Sequence, residues 1–514
     1  MAIRGIMNHT WVYAHNHTAQ QFMPNTPAPT TNANTDDILD VLIVGAGLSG
    51  IGAARHLQKQ LPHKTWKILE SRANLGGTWD LFRYPGVRSD SDMHTLGYNF
   101  KPWAERQAIA DGPSILKYIQ ETADETGITQ RIDYGCKVSQ AQWSSPEACW
   151  TITYVRQPGD PTHTLKARFL YLCSGYYRYD RAHQPHFEGE ELFEGVKVHP
   201  QFWPRDLDYS GKQVVVIGSG ATAATLVPEM AKTAAHVTML QRSPTYMVTR
   251  PAEDRLAIAL NRYLPSTWAY ALTRWKNVLL GMFFYKLSRN RPQAIKRYLV
   301  DMARRQLPRD FDLRHFTPQY KPWDQRVCAL PNGDLFAQLR QGRVSVVTDT
   351  VKSFTPHGLL LSSGQSLNAD VVVTATGLEL SVLGGIEWSV DGKPYAPADA
   401  LAYKGMMLSN LPNAFMALGY TNASWTLKAD LTAHYVCRLL LHMDRHGQTR
   451  AEPIPNGPVN PQSFFDLNSG YVQRSAMLLP KQGDQQPWKV HQNYFKDWLN
   501  LRWSRLDDGV MRFS

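Results

Sequence analysis

An α/β protein with two Rossmann-like dinucleotide-binding units, the first interrupted by the second, is the fold class that this 514-residue sequence predicts. Three observations predict it. Two short apolar runs each end in a glycine-rich turn, and each turn opens a helical pattern. Each helical pattern leads to a further apolar run, which completes a βαβ unit. Further strand signals follow the second unit without making a third, so the C-terminal part of the chain is left to complete the first.

The elements follow in order. Residues 1–37 are polar, rich in Asn, Thr, Pro and Ala, and lack the apolar core of a secretory signal; they read as a disordered tail. DVLIV at 40–44 is a buried strand, HLQKQL ends the helix after it, and WKILE at 66–70 is the next strand. CWTITYV and RFLYLCSG are strand signals before the second unit. KQVVVIG at 212–218, a helix and HVTMLQR at 236–242 form that unit, and VSVVTDT and DVVVTATG follow it. Residues 252–310 are a Trp- and Arg-rich helical insert. The expected division is 38–175 with 370–514 for the first domain and 176–369 for the second.

Composition bounds the function. A hydrophobic fraction of 43% and a charged fraction of 19% are those of a globular protein. The net charge of +11 suits a polyanionic partner without choosing one, and no nucleic-acid motif is present. Cys136, Cys149, Cys173, Cys328 and Cys437 are scattered and form no CxxC, which points to a reducing, cytoplasmic setting and away from a structural zinc or redox dithiol. The histidines form no HExxH, and HQPH at 183–186 reads as a polar loop, so no metal is expected. No apolar run reaches the roughly 18 to 20 residues that span a bilayer.

Gly45-Ala-Gly47-Leu-Ser-Gly50 fits GxGxxG. The first glycine permits the tight turn, the second lets backbone approach a pyrophosphate, and the third lets the helix pack on the strand. The helix N-terminus then offers N–H groups to the phosphates, and Ser49 can add a hydroxyl. Glu70 ends the next strand, where a carboxylate accepts the ribose hydroxyls. Gly218-Ser219-Gly220-Ala221-Thr222-Ala223 is the second loop, with Ala in the third place. Gln241 and Arg242 end its next strand in place of an acid. A guanidinium attracts the 2′-phosphate that a carboxylate would repel, which favours NADPH over NADH. The loop at 76–92 starts just after Glu70, at the ligand-binding edge of the sheet. Gly76 and Gly77 allow close approach, Trp79 offers a flat face, and Asp90 is the carboxylate aimed at the reaction centre. The ATG turn at 375–377 could bring backbone near a bound cofactor.

FEGVKVHPQFWP at 193–204 resembles the FxGxxxHxxxW-P/D fingerprint of the type I Baeyer–Villiger monooxygenases, a group of class B flavoprotein monooxygenases. Phe193, Gly195, His199, Trp203 and Pro204 fill it. GGTWDLFRYPGVRSDSD, VVVIGSGATAATLVP, PWDQRVCALPNGDLF and GYTNASWTLKADL look like a mycobacterial branch of that family. The resemblance implies that the discontinuous domain binds FAD, at the glycine loop with Ser49 and Glu70, at Gly77, Thr78, Trp79, Asp80, Leu81 and Asp90, and at the Val138 backbone. It implies NADPH at Arg88, Ser89, Asp90, at Gly218, Ser219, Gly220, Ala221, Thr222, Ala223 and Ala224, and at Gln241 and Arg242. It assigns Arg326 to stabilising a C4a-peroxyflavin, Asp90 to orienting Arg326, and His199 to domain motion and NADPH-dependent steps. One departure is Gln325, where many family members carry Lys for the 2′-phosphate; preference for NADPH then leans on Arg242.

The implied reaction inserts one atom of O2 into ketones, giving esters or lactones, and oxygenates sulfides. Three rivals stand beside it. A flavin disulfide reductase shares the two-unit plan but needs a cysteine pair. An N- or S-oxygenating flavin monooxygenase would show little Baeyer–Villiger activity. A catalytically silent, membrane-associated nucleotide-binding protein is the third, motivated by residues 268–305, where aromatics and Leu mix with Lys and Arg and a single acid, Asp301. The alternative for that stretch is a set of helices covering the second domain and the substrate entrance.

Overall fold

A strand with no polar face must be covered on both sides. Leu39–Val44 meets this demand inside the larger sheet, parallel to Trp66–Leu69 on one side and His163–Leu172 on the other. The computed structural model describes residues 38–157, 159–465 and 470–514. The tail expected at 1–37 lies outside them. From His163–Leu172 the sheet continues antiparallel through Cys149–Val155 and Lys137–Ser144, then adds Glu387–Val390 and Lys393–Tyr395. Successive side chains of the central strand serve opposite layers. Val41 and Ile43 join the core of helices Leu48–Gln60 and Trp425–His446, whereas Leu42 and Val44 join Trp143, Trp150 and Trp388. The first unit is therefore built from both ends of the described chain.

Gln213–Ile217 lies in a second, five-stranded parallel sheet. Its order is Val344–Thr348, His236–Gln241, Gln213–Ile217, Val371–Thr374, Val196–Val198. Helices Ala221–Met230 and Asp334–Arg340 cover one face through Leu226, Val227 and Leu335. Phe354, Leu359 and Leu361 of a small antiparallel sheet cover the other through Val215 and Val372.

The sheet corrects one boundary. Val371–Thr374, expected to begin the returning segment of the first domain, pairs with Gln213–Ile217 and Val196–Val198. The chain leaves the second sheet after Thr374. An apolar run of this length reads alike for either sheet, and only pairing decides. The fingerprint stretch also acquires a structural place. Val196–Val198 is the edge strand, Phe193 packs against Phe354, and a side chain at Gly195 would strike the Asp370 carbonyl at 2.5 Å.

The helical insert consists of Arg255–Tyr263, Ser266–Asn290 and Pro292–Arg304. It is fastened from within. The buried Arg274 donates through Nη1 to the carbonyls of His94 and Gly97, both at 2.9 Å, at the end of the short helix Met93–Leu96. All five cysteines are buried and unpaired with one another. Among the described residues no helix is long and apolar enough to cross a membrane, and no group of three or more His, Cys, Asp or Glu could hold a metal.

Candidate active site

Both glycine turns sit at the C-terminal ends of central parallel strands, where ligands of open α/β sheets bind. Gly50 lies so close to the strand that a Cβ there would be 1.9 Å from the Gly45 carbonyl oxygen. Gly47 meets Gly77: a Cβ on Gly77 would be 3.1 Å from the Gly47 Cα, so the 76–92 segment begins against the first turn. Within it, Thr78–Leu81 forms a single helical turn that the sequence did not signal. Glu70 holds this corner. Its buried carboxylate accepts from the Ala46 amide at 2.7 Å and the Arg72 amide at 2.9 Å. Burial raises its pKa, and those two amides and the Arg72 charge oppose the rise.

A cavity of about 800 Å3 runs between the two turns. Gly45, Gly47, Ser49, Glu70, Gly77, Thr78, Trp79, Leu81 and Val138 line it from the first unit. Arg88, Ser89, Asp90, Ala221, Thr222, Ala224 and Arg326 line it from the loop and the second unit. Arg326 donates to Asp90 Oδ2 at 2.5 Å, which joins a residue of the second unit to the loop of the first. Arg88 likewise reaches Asp334 at 2.5 Å. A guanidinium cannot be deprotonated in proteins, so Arg326 brings a fixed positive charge to the cavity wall.

Other expected residues stand outside the lining. Asp80 is buried and paired with Arg72 at 2.7 Å and Arg83 at 3.0 Å. Gln241 is buried, and its amide donates to His315 O and Thr348 Oγ1. Ser219 Oγ donates to the Ser243 carbonyl. Arg242 is exposed. Gly218 packs on the ATG turn, since a Cβ there would lie 2.4 Å from Ala375 O; that turn backs the second glycine loop. Gly50 and Ala223 are helix-packing positions. Gly220 is open, for a Cβ there would meet nothing within 4 Å. His199 is buried, and its Nδ1 accepts from the Gln201 amide at 3.1 Å. Burial lowers its pKa to about 4, against a smaller opposing effect from the Gly377 backbone, although Nε2 has no partner in hydrogen-bond geometry.

Four contributors were not legible. Trp425 Nε1 donates to Ser49 Oγ at 2.7 Å, and its ring stacks on Tyr176 at 5.1 Å. Both rings line the cavity, as does Tyr179, whose hydroxyl is 3.5 Å from Thr78 Oγ1. Arg474 has its pKa lowered mainly by burial and also by the nearby Arg242 charge, so a second cation stands near Arg242. Trp425 belongs to the GYTNASWTLKADL stretch, which carried resemblance without a role.

Residues 43–106 match an NAD(P)-binding Rossmann-like domain, and residues 107–438 match the flavin-binding monooxygenase-like family. The chain belongs to the flavin-binding monooxygenase-like family. It is a flavin-dependent monooxygenase. It is 51% identical over 479 residues to the FAD-containing monooxygenase EthA of Mycobacterium tuberculosis, covering 93% of this chain and 98% of that protein. A steroid monooxygenase bound to NADP shares the fold with a TM-score of 0.68 at 22% identity, over 82% of this chain and 88% of that one. A cyclohexanone-bound cyclohexanone monooxygenase does so at 0.66 and 20% identity, over 81% and 89%. Members of the family bind a flavin. The two glycine turns facing one cavity, with open space at Gly220, fit a pair of dinucleotides, FAD and NADP(H).

Proposed function

We propose that this flavin-dependent monooxygenase uses NADPH to insert one atom of O2 into ketones, giving esters or lactones, and to oxygenate sulfides. The observation that carries the reading is the Arg326–Asp90 pair on the cavity wall between the two glycine turns. In this reading the first unit takes FAD, with Ser49, Glu70, the backbone at Gly77 and the 78–81 turn as its contacts. The second takes NADPH at the Gly218–Ala224 turn and Arg242.

When bound, reduced FAD supplies the activation of O2. The chain supplies the rest. Arg326 holds a positive charge where negative charge must be kept, and such preorganised groups act most strongly where water is excluded. Asp90 fixes the direction of that guanidinium. Trp425, Tyr176 and Tyr179 present aromatic rings to one part of the cavity. His199, buried beside the edge strand, accepts from the Gln201 amide and does not line the cavity.

Product analysis under isotope-labelled O2, with a panel of ketones and sulfides, tests this. Labelled ester or lactone from ketones is the expected result. Labelled sulfoxide alone would assign the chain to S-oxygenation, and NADPH consumption that never yields labelled product would remove the reading.

A further inference from the structure

The helical insert presents more apolar surface than its packing uses. The Ser266–Asn290 helix turns Tyr270, Arg274 and Val278 inward. Its opposite face carries Trp268, Leu272, Leu279 and Phe283, spaced as one stripe of a helix. Trp268 is 66% exposed and Phe283 65%. The stripe extends to both neighbours. Helix Arg255–Tyr263 exposes Leu256 and Tyr263. On the other flank Trp275 meets Trp498 at a ring separation of 5.9 Å, and Trp498 stacks on Phe495 at 6.1 Å. The helix that bears them, Tyr494–Trp503, also exposes Leu499 and Trp503.

Two of these helices carry one sign of charge. Residues 255–300 contain nine Lys or Arg and no Asp or Glu. Arg262, Lys286, Arg291, Lys496 and Arg505 are exposed around the three helices. A contiguous apolar surface of this kind marks an interaction site. Nucleic acid would use the cations and leave Trp, Leu and Phe in water. A second copy would set this acid-free segment against itself, because a two-fold contact uses the same patch twice. An anionic bilayer surface satisfies both halves: rings and Leu side chains enter the acyl boundary, and cations meet headgroup phosphates.

We propose that the face formed by these three helices docks the protein on an anionic lipid surface. Val278 and Met282, on the inner side of the same helix, pack with Tyr420 and Ala423, which line the cavity. The docking helix thus packs directly behind the cavity wall, and is itself about 10 Å across. The proposal rests on this surface and not on the reaction proposed above.

Full-length, flavin-loaded protein sedimented with vesicles provides the test. With phosphatidylcholine vesicles containing phosphatidylglycerol at low salt, the protein should sediment. Pure phosphatidylcholine, or high salt, should lower partition at least about tenfold. The combined substitutions Trp268→Ser, Leu279→Ser and Phe283→Ser should lower partition to anionic vesicles about a hundredfold. Flavin content and elution volume should stay unchanged. Lys286→Glu with Lys496→Glu, which removes no apolar packing, should lower it at least about tenfold. Wild-type protein left in the supernatant, or equal binding to neutral vesicles, overturns the proposal. So does a wild-type dimer that the triple substitution dissolves, because the face would then belong to a second copy.

Discussion

Arg326 is held to Asp90 by a short ion pair, yet both groups keep contact with the cavity. A charge placed this way acts on whatever develops beside it, and removing one such group costs on the order of 10²–10³ in rate. Arg326→Ala should therefore lower oxygenated product by about that factor while flavin reduction by NADPH proceeds at the wild-type rate. Asp90→Asn keeps the cation and loses its orientation, so a smaller loss, about tenfold, is expected. Rapid-mixing absorbance of the flavin, read beside product yield, separates the two half-reactions. His199 makes a different prediction. Its folded pKa is depressed from 6.5 to about 4 by burial, so the unfolded chain binds the proton first. The stability this residue contributes is complete above pH 6.5 and is lost as pH falls towards 4, by at most about 3 kcal/mol. Melting temperature against pH should fall less steeply over that window in His199→Asn than in the wild type.

At the scale of elements, the glycine turns are fixed by contact rather than by flexibility. Gly50→Ala would put a methyl group 1.9 Å from the Gly45 carbonyl oxygen, and neither backbone can retreat without parting helix from strand. Overpacking of this kind costs typically 1–3 kcal/mol and here about 3 or more. The variant should emerge with a lowered melting temperature and little bound flavin, measured by absorbance per chain. These turns were legible because strand, glycine spacing and helix are all local in sequence. Gln241 was legible only as a position, because His315 and Thr348, which occupy its amide, come from other parts of the chain. Trp425 was missed for the same reason: it reaches Ser49 across most of the sequence. The boundary at residue 370 failed because DVVVT carries no mark of which sheet will take it.

For the whole molecule, two ion pairs carry the cavity across the junction of the units. Arg326–Asp90 is one and Arg88–Asp334 the other. Asp334 sits at the start of helix Asp334–Arg340 and does not line the cavity, whereas Arg88 does. Asp334→Asn should leave the cofactor sites intact but free the loop that bears Arg88 and Asp90. The expected outcome is a several-fold rise in hydrogen peroxide released per NADPH consumed, with NADPH consumption itself little changed; an unaltered ratio would show that the junction is held without this pair.

The buried cysteines bear on how long such a catalyst lasts. Burial pushes the Cys328 thiol, next to Arg326 on the cavity wall, up to about 12, and Cys437 likewise to about 12; burial also raises Cys136, Cys149 and Cys173. Sulfur attacks peroxide as the thiolate, the form that burial disfavours at all five positions. The folded holoprotein should therefore give no colour with an aromatic disulfide reagent until denaturant exposes all five sulfurs, and it should tolerate its own leaked oxidant without an added reductant.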